Sequence, residues 1–316
     1  MVAAIPFFQL GVYNWQVPGL DLVLPIDAWA TLVCVGIVVG LEVARARAIK
    51  LGLEVKDIVD GAAVIVATGF VVAHIVTVVF YKPERLAEEG IWAILKVWEG
   101  FASSGGFLGA VIGAWFFYRV YRKRPALRHA DVICYGFPFG WFFGRMGCGV
   151  VHDHVGKQTD FFLGMTFPPG HWAAGVRHEL GLYEMAYMIP VMALFWYWGR
   201  VDRVPGWFLG WFAVLYAPAR FGMDFLREVP QSALDANLDM RWYGLTAAQW
   251  AMFLLFFAGI ALLKTRDYEG FQPHPMDGSP HNHPSGSDGL TGDSPQAPEM
   301  EQAPSESSPD ESADGG

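Results

Sequence analysis

The chain has 316 residues, 53% of them hydrophobic and 15% aromatic, with a positive mean hydropathy. Its formal charge of −9 is uneven: eleven of the 31 acidic residues lie from Asp267 onward, where no Lys or Arg occurs, so the body carries 20 acids against 22 bases. The low isoelectric point is therefore a property of the tail, and three scattered cysteines, with no nucleotide-binding loop or zinc-finger spacing, exclude a disulfide framework and give no sign of nucleic-acid binding.

Apolar stretches near the ~20 residues that cross a bilayer follow in order. The first, 26–44, runs into Arg45, Arg47 and Lys50 without a basic n-region or a cleavage site, so it reads as a span and not as a cleavable signal peptide. The second, 58–80, carries His74. The third, 101–121, sits behind WEG and contains Ser104, Gly105 and Gly106 near its start; the fourth, 131–151, ends in GRMGCGVVHDHVG. The fifth, 181–199, opens within RHELGLYEM, the sixth, 205–222, ends in YAPARFGMDFLRE, and the seventh, 246–264, opens within RWYGLTAAQW.

This pattern predicts an all-α polytopic membrane protein, with a seven-helix body over 1–266. An N-terminus outside puts 13 of the 22 bases in the inside segments, as the positive-inside rule requires, and leaves the C-terminus cytoplasmic. Residues 267–316, rich in Pro, Ser, Gly and acids, read as a disordered cytoplasmic tail.

Ionisable groups at span ends mark a functional site, and here they gather at the outer ends of five spans, with His74 in the outer half of its own. Taken singly, each has a plainer explanation. Gly105 and Gly106 permit close helix packing, Arg145 snorkels to headgroups, and Arg220 pairs with Asp224 at i,i+4. Tyr183, Trp242 and Tyr243 fit an interfacial aromatic belt, and His74 fits an interhelical hydrogen bond. Together, two arginines at the depth of phospholipid phosphates suggest a site for an anionic lipid headgroup, because guanidinium is the preferred bidentate partner of phosphate.

These motifs, in this order over about Ile26 to Leu263, resemble the prolipoprotein diacylglyceryl transferase family of the bacterial cytoplasmic (inner) membrane. GRMG resembles the start of its glycine-arginine-x-glycine-asparagine signature, LYEM its leucine-tyrosine-glutamate step, and YAPARFGMDFLRE its tyrosine-x-x-x-arginine-phenylalanine run. LTAAQW resembles the opening of its last span. The resemblance implies transfer of diacylglyceryl from phosphatidylglycerol to the lipobox cysteine thiol of a prolipoprotein signal peptide, with no metal or diffusible cofactor. It implies that Arg145 and Arg220 hold the phosphate and stabilise its developing charge. Asp153 and Gly156 then keep the signature's frame, Glu184, Tyr216 and Asp224 orient the arginines or line the cavity, and Ser104, Gly105, Gly106 and His74 belong to the substrate-binding part.

The departures are equally specific. Ser104 stands where the family has a histidine suited to act as base, Cys148 replaces the signature asparagine, His74 replaces an arginine, and Trp29 a tyrosine. A thiol with a pKa near 8.5 gains from a base, so His152 or His154 is expected to replace the lost one. A metal site from Cys148, His152, Asp153 and His154 is the rival reading. The functional alternative to an active transferase is a catalytically silent phospholipid-binding paralogue. A transporter or receptor is disfavoured by the lack of an inverted repeat.

Overall fold

The computed structural model describes residues 5–96, 100–228 and 241–279. All seven apolar stretches form helices: α1 (Ala28–Lys50), α2 (Val55–Val76), then the short α3 (Pro83–Glu89) and α4 (Ile91–Leu95), followed by α5 (Ser103–Ala114), α6 (Ala126–Val151), α7 (Leu180–Trp198), α8 (Trp207–Met223) and α9 (Ala247–Lys264). Segments of π-helix, Thr77–Tyr81 and Trp115–Tyr121, extend α2 and α5. Three helical runs, Val55–Tyr81, Leu180–Trp198 and Ala247–Lys264, are long and apolar enough to cross a membrane by length and composition. Side chains such as Val111 and Leu254, each 67% exposed, face away from the protein, as lipid-facing positions do.

The all-α expectation needs correction. Among the described residues, eight short strands accompany the helices: β1 (Ile5–Pro6), β2 (Val12–Gln16), β3 (Val23–Asp27), β4 (Val155–Gln158), β5 (Met165–Phe167), β6 (Gly175–Glu179), β7 (Arg241–Trp242) and β8 (Leu245–Thr246). One four-stranded sheet runs β1-β5-β6-β4, while β2-β3 and β7-β8 form antiparallel pairs. At two to five residues, these strands are too short for alternating hydrophobicity to reveal them. The β2-β3 hairpin also occupies the start of the first expected span, so α1 begins at Ala28, capped by the Asp27 carboxylate accepting from Ala30 N–H at 2.7 Å.

Packing explains why the helices meet where they do. A Cβ on Gly36 of α1 would stand 2.5 Å from the Gly140 carbonyl of α6, so the two backbones cross at a contact that only glycine allows. On α5, a Cβ at Gly105 would lie 2.8 Å from Ala73 Cα, whereas one at Gly106 would meet nothing closer than 4.0 Å. Gly105 is thus a packing residue against α2, and Gly106 is not. An aromatic core of Phe195, Phe208, Phe212 and Tyr216 holds α7 and α8 together.

The opposite end of the bundle carries its own buried charge. Arg47 lies between the Tyr135 and Phe208 rings at 4.5 and 4.6 Å and donates to the Gly199 carbonyl at 2.9 Å. Asp202 pairs with Arg128 at 2.7 Å and accepts the His274 N–H at 3.1 Å. The first residues of the expected tail therefore touch the body, and residues 280–316 lie outside the described residues.

Candidate active site

The site begins with Arg145, nearly two turns from the end of α6. Its neighbour one turn earlier, Trp141, lies under the guanidinium at 4.5 Å, the i,i+4 geometry that a helix face dictates. Arg145 Nε forms an ion pair with Glu184 Oε1 at 2.8 Å; Arg220 Nε stands 3.6 Å from the other carboxylate oxygen. Glu184 also accepts from Tyr216 Oη at 2.6 Å and from Trp141 Nε1 at 3.0 Å. One buried carboxylate on α7 therefore joins the arginines of α6 and α8.

A second carboxylate continues the network. Asp224, just past α8, accepts from Arg220 Nη1 at 3.0 Å, faces Arg227 Nε at 2.9 Å and accepts from Thr246 Oγ1. Thr246 is the N-cap of α9 in a capping box with Gln249, whose side chain donates to the Phe221 carbonyl at 3.2 Å. Arg220 in the last turn of α8 also suits the negative end of that helix. Three guanidiniums, Arg145, Arg220 and Arg227, share the two carboxylates of Glu184 and Asp224. Arg145 and Arg220 are both buried, and paired guanidiniums in such a setting suit an anion.

The signature stretch splits into two environments. His152 ends α6 in the left-handed conformation, φ +57°, an uncommon place for a non-glycine residue. It is buried, its Nδ1 is 3.2 Å from Glu179 and its Nε2 bonds the Phe8 carbonyl. Phe7 and Phe167 pack on its ring. The reversal at His152 returns Asp153 and His154 toward the last turn of α6. There His154 Nδ1 bonds Asp153 at 2.6 Å, and the ligating atoms of Cys148, Asp153 and His154 all lie within 4.8 Å of one another. Arg145 Nη1 is 3.8 Å from Cys148 Sγ, which ties this group to the arginine network. Gly156 lies on β4, where a Cβ would meet the Leu226 carbonyl at 2.6 Å, so the strand packs directly on the turn that follows α8.

The remaining expected residues divide. At the start of α5, Phe107 packs on Trp141 and Tyr216, with centroids 5.8 and 6.1 Å apart, which brings the turn bearing Ser104 and Gly106 toward the network. His74 is buried, with Nε2 bonded to the Ala93 carbonyl at 3.0 Å and Nδ1 3.4 Å from that of Gly100; it ties α2 to the segment around α4. Sequence reasoning missed Trp141 and Thr246 and gave no role to Arg227, the downstream arginine of the YAPARFGMDFLRE run. The sequence signal for Trp141 is its i,i+4 offset from Arg145.

The His152–Glu179 contact makes stability pH-dependent. Burial opposes the charged ring, but the Glu179 carboxylate and the Phe8 carbonyl outweigh it and raise the His152 pKa; burial also pushes Glu179 upward. A raised histidine value contributes stability that is complete below the unfolded value of about 6.5 and lost as pH climbs through the folded one. The melting temperature of the detergent-purified protein is expected to fall as pH rises above about 6.5. His152→Gln flattens that slope, and an equal slope in the variant excludes the assignment.

The sequence is similar to known proteins over most of its length. The model of the prolipoprotein diacylglyceryl transferase family matches residues 19–265. A phosphatidylglycerol–prolipoprotein diacylglyceryl transferase of Cupriavidus necator is 34% identical over 191 residues, 59% of this chain and 66% of that protein. The match therefore spans just under two thirds of that relative's length. Proteins of the same name from Chromohalobacter salexigens and Roseobacter denitrificans are 34% identical over 72% of this chain and 83% of the relative, and 30% identical over 83% and 98%.

Proposed function

The chain belongs to the prolipoprotein diacylglyceryl transferase family, and from that premise we propose that it moves diacylglyceryl from phosphatidylglycerol to a lipobox cysteine thiol of a prolipoprotein signal peptide. The observation that carries this reading is the buried Glu184 carboxylate shared by Arg145 and Arg220. On attack by the thiol, the sulfur–carbon bond forms at the glycerol carbon while its bond to phosphate oxygen breaks. The electron pair leaves with glycerol phosphate, and the thiol proton goes to water. Arg145 and Arg220 hold the phosphate and neutralise the charge that grows on its oxygen.

Glu184, Tyr216 and Asp224 orient the two guanidiniums. Ser104 and Gly106 line the approach, Gly105 and Gly156 fix the elements around it, and His74 steadies the neighbouring segment. The group of Cys148, Asp153 and His154 is where the incoming thiol is activated, and His152 supports the turn that brings them together. Seven helices cross the bacterial cytoplasmic membrane with the N-terminus outside and the acidic tail inside, an arrangement supported by the 13 basic residues assigned to the inner face.

Ser104, at the place of the family's histidine, favours a second reading: a silent phospholipid-binding paralogue. Complementation separates the two. The chain is expected to sustain lipidation of a lipobox substrate when the host's own transferase is depleted, and His154→Ala to abolish this while phosphatidylglycerol binding remains. Lipid binding without lipidation by the unaltered chain selects the silent reading, and full rescue by His154→Ala removes His154 from the reaction.

A further inference from the structure

The end of α6 and the turn after it bring together a thiol, a carboxylate and an imidazole. Cys148 Sγ, a carboxylate oxygen of Asp153 and a ring nitrogen of His154 lie within 4.8 Å of one another. Cys148 is buried near the end of α6, Asp153 is exposed, and His154 is intermediate between them. A role for Cys148 as a covalent carrier is excluded by chemistry: it would form a thioether, which cannot pass its alkyl group to a second thiol.

We propose that Cys148, Asp153 and His154 bind a zinc ion whose open fourth position takes the lipobox cysteine of the substrate. The proposal rests on the transferase reading above and supplies the activation that Ser104 leaves missing. Thiolate, imidazole and carboxylate form a donor set suited to zinc and poorly suited to magnesium or calcium. Three protein ligands with one open position is the pattern of catalytic zinc sites. Ligand atoms around tetrahedral zinc stand about 3.3–3.6 Å apart, given zinc–nitrogen and zinc–sulfur distances of about 2.05 and 2.3 Å. The exposed Asp153 and the half-buried His154 can close on the fixed Cys148. The Asp153–His154 hydrogen bond of 2.6 Å is then replaced by two bonds to the metal.

Charge supports the same arrangement. Zinc with two anionic ligands and a neutral imidazole sums to zero, and the arriving thiolate makes the site negative. Arg145 stands 3.8 Å from Cys148 Sγ, and both Arg145 and Arg227 act electrostatically on His154. The added negative charge therefore arrives beside Arg145 and Arg227, which are also paired with Glu184 and Asp224. A thiol that coordinates zinc gives up its proton at neutral pH. The proton goes to water, the zinc-held sulfur forms its bond to the glycerol carbon, and the carbon–oxygen bond to phosphate breaks with its electrons on the leaving group. The neutral thioether then leaves the metal more readily than a thiolate would.

The test uses the full-length protein, purified in detergent, supplied with zinc chloride and dialysed, with metal content and lipid transfer measured on the same sample. About one zinc per chain is expected. Cys148→Asn, which installs the family's residue, and His154→Ala should each lower zinc affinity by at least the 10–100-fold that loss of even a supporting partner costs. Helical circular dichroism should be unchanged in both. No zinc on the folded chain, or zinc fully retained by Cys148→Asn, overturns the site. Lipid transfer by a zinc-free chain overturns the site and leaves the transferase reading standing. Zinc lost in both variants, from a wild-type chain that transfers no lipid, supports the site and overturns that reading.

Discussion

Glu184→Gln is expected to lower the rate of lipid transfer by about 10²–10³-fold, the loss typical when one preorganised electrostatic partner is removed from a transition-state site. The reason lies in the number of groups this carboxylate serves. It faces Arg145 at 2.8 Å and Arg220 at 3.6 Å and accepts from Tyr216 and Trp141. An amide of the same shape keeps some hydrogen bonding but leaves Arg145 and Arg220 facing each other without the charge between them. Breaking a buried pair by removing one partner costs about 3–5 kcal/mol, so the melting temperature should fall as well. Glu184→Asp separates the two effects. It keeps the charge on a shorter arm, and activity should recover part of the loss while stability recovers most of it. Transfer assayed with phosphatidylglycerol vesicles and a lipobox peptide gives the measurement, and an unchanged rate in Glu184→Gln removes the shared carboxylate from the mechanism.

The helices were legible in the sequence because each buries or exposes a long apolar run, and such a run needs no partner to be recognised. The Arg220–Asp224 pair was legible for a similar reason: it is local, four residues apart at the end of α8, and stands at 3.0 Å. What escaped were relations between distant residues. The Gly36–Gly140 crossing joins positions more than a hundred residues apart, and nothing in either glycine names the other. Arg47 read as one of several cytoplasmic cations, yet it lies buried between the rings of Tyr135 and Phe208. The two histidines of the signature stretch could not be told apart by spacing. They differ because the left-handed turn at His152 points one ring into the Phe7, Phe8 and Phe167 cluster and leaves its neighbour beside Cys148.

The same geometry decides what lysine at Arg145 should do. Arg145 uses Nε on Glu184, Nη1 on Cys148 Sγ and the face of its guanidinium on Trp141. Lysine keeps the charge but has one nitrogen, no planar face and no fork, so it cannot hold Glu184 and a phosphate oxygen in fixed directions at once. Loss of one charge-assisted hydrogen bond is worth about 1.5–3 kcal/mol, which corresponds to roughly a 10–100-fold fall in kcat/KM. Where that fall shows separates two roles. An arginine that only binds the phosphate raises KM and leaves kcat, whereas one whose contact strengthens as the glycerol carbon–oxygen bond breaks lowers kcat and leaves KM. The position of Arg145 between the shared carboxylate and Cys148 predicts the second pattern. Arg220, already bonded to Asp224 at 3.0 Å, should show more of the first when replaced by lysine. Equal, purely KM effects in Arg145→Lys and Arg220→Lys would reduce both arginines to headgroup ligands and move the stabilisation of the leaving group elsewhere.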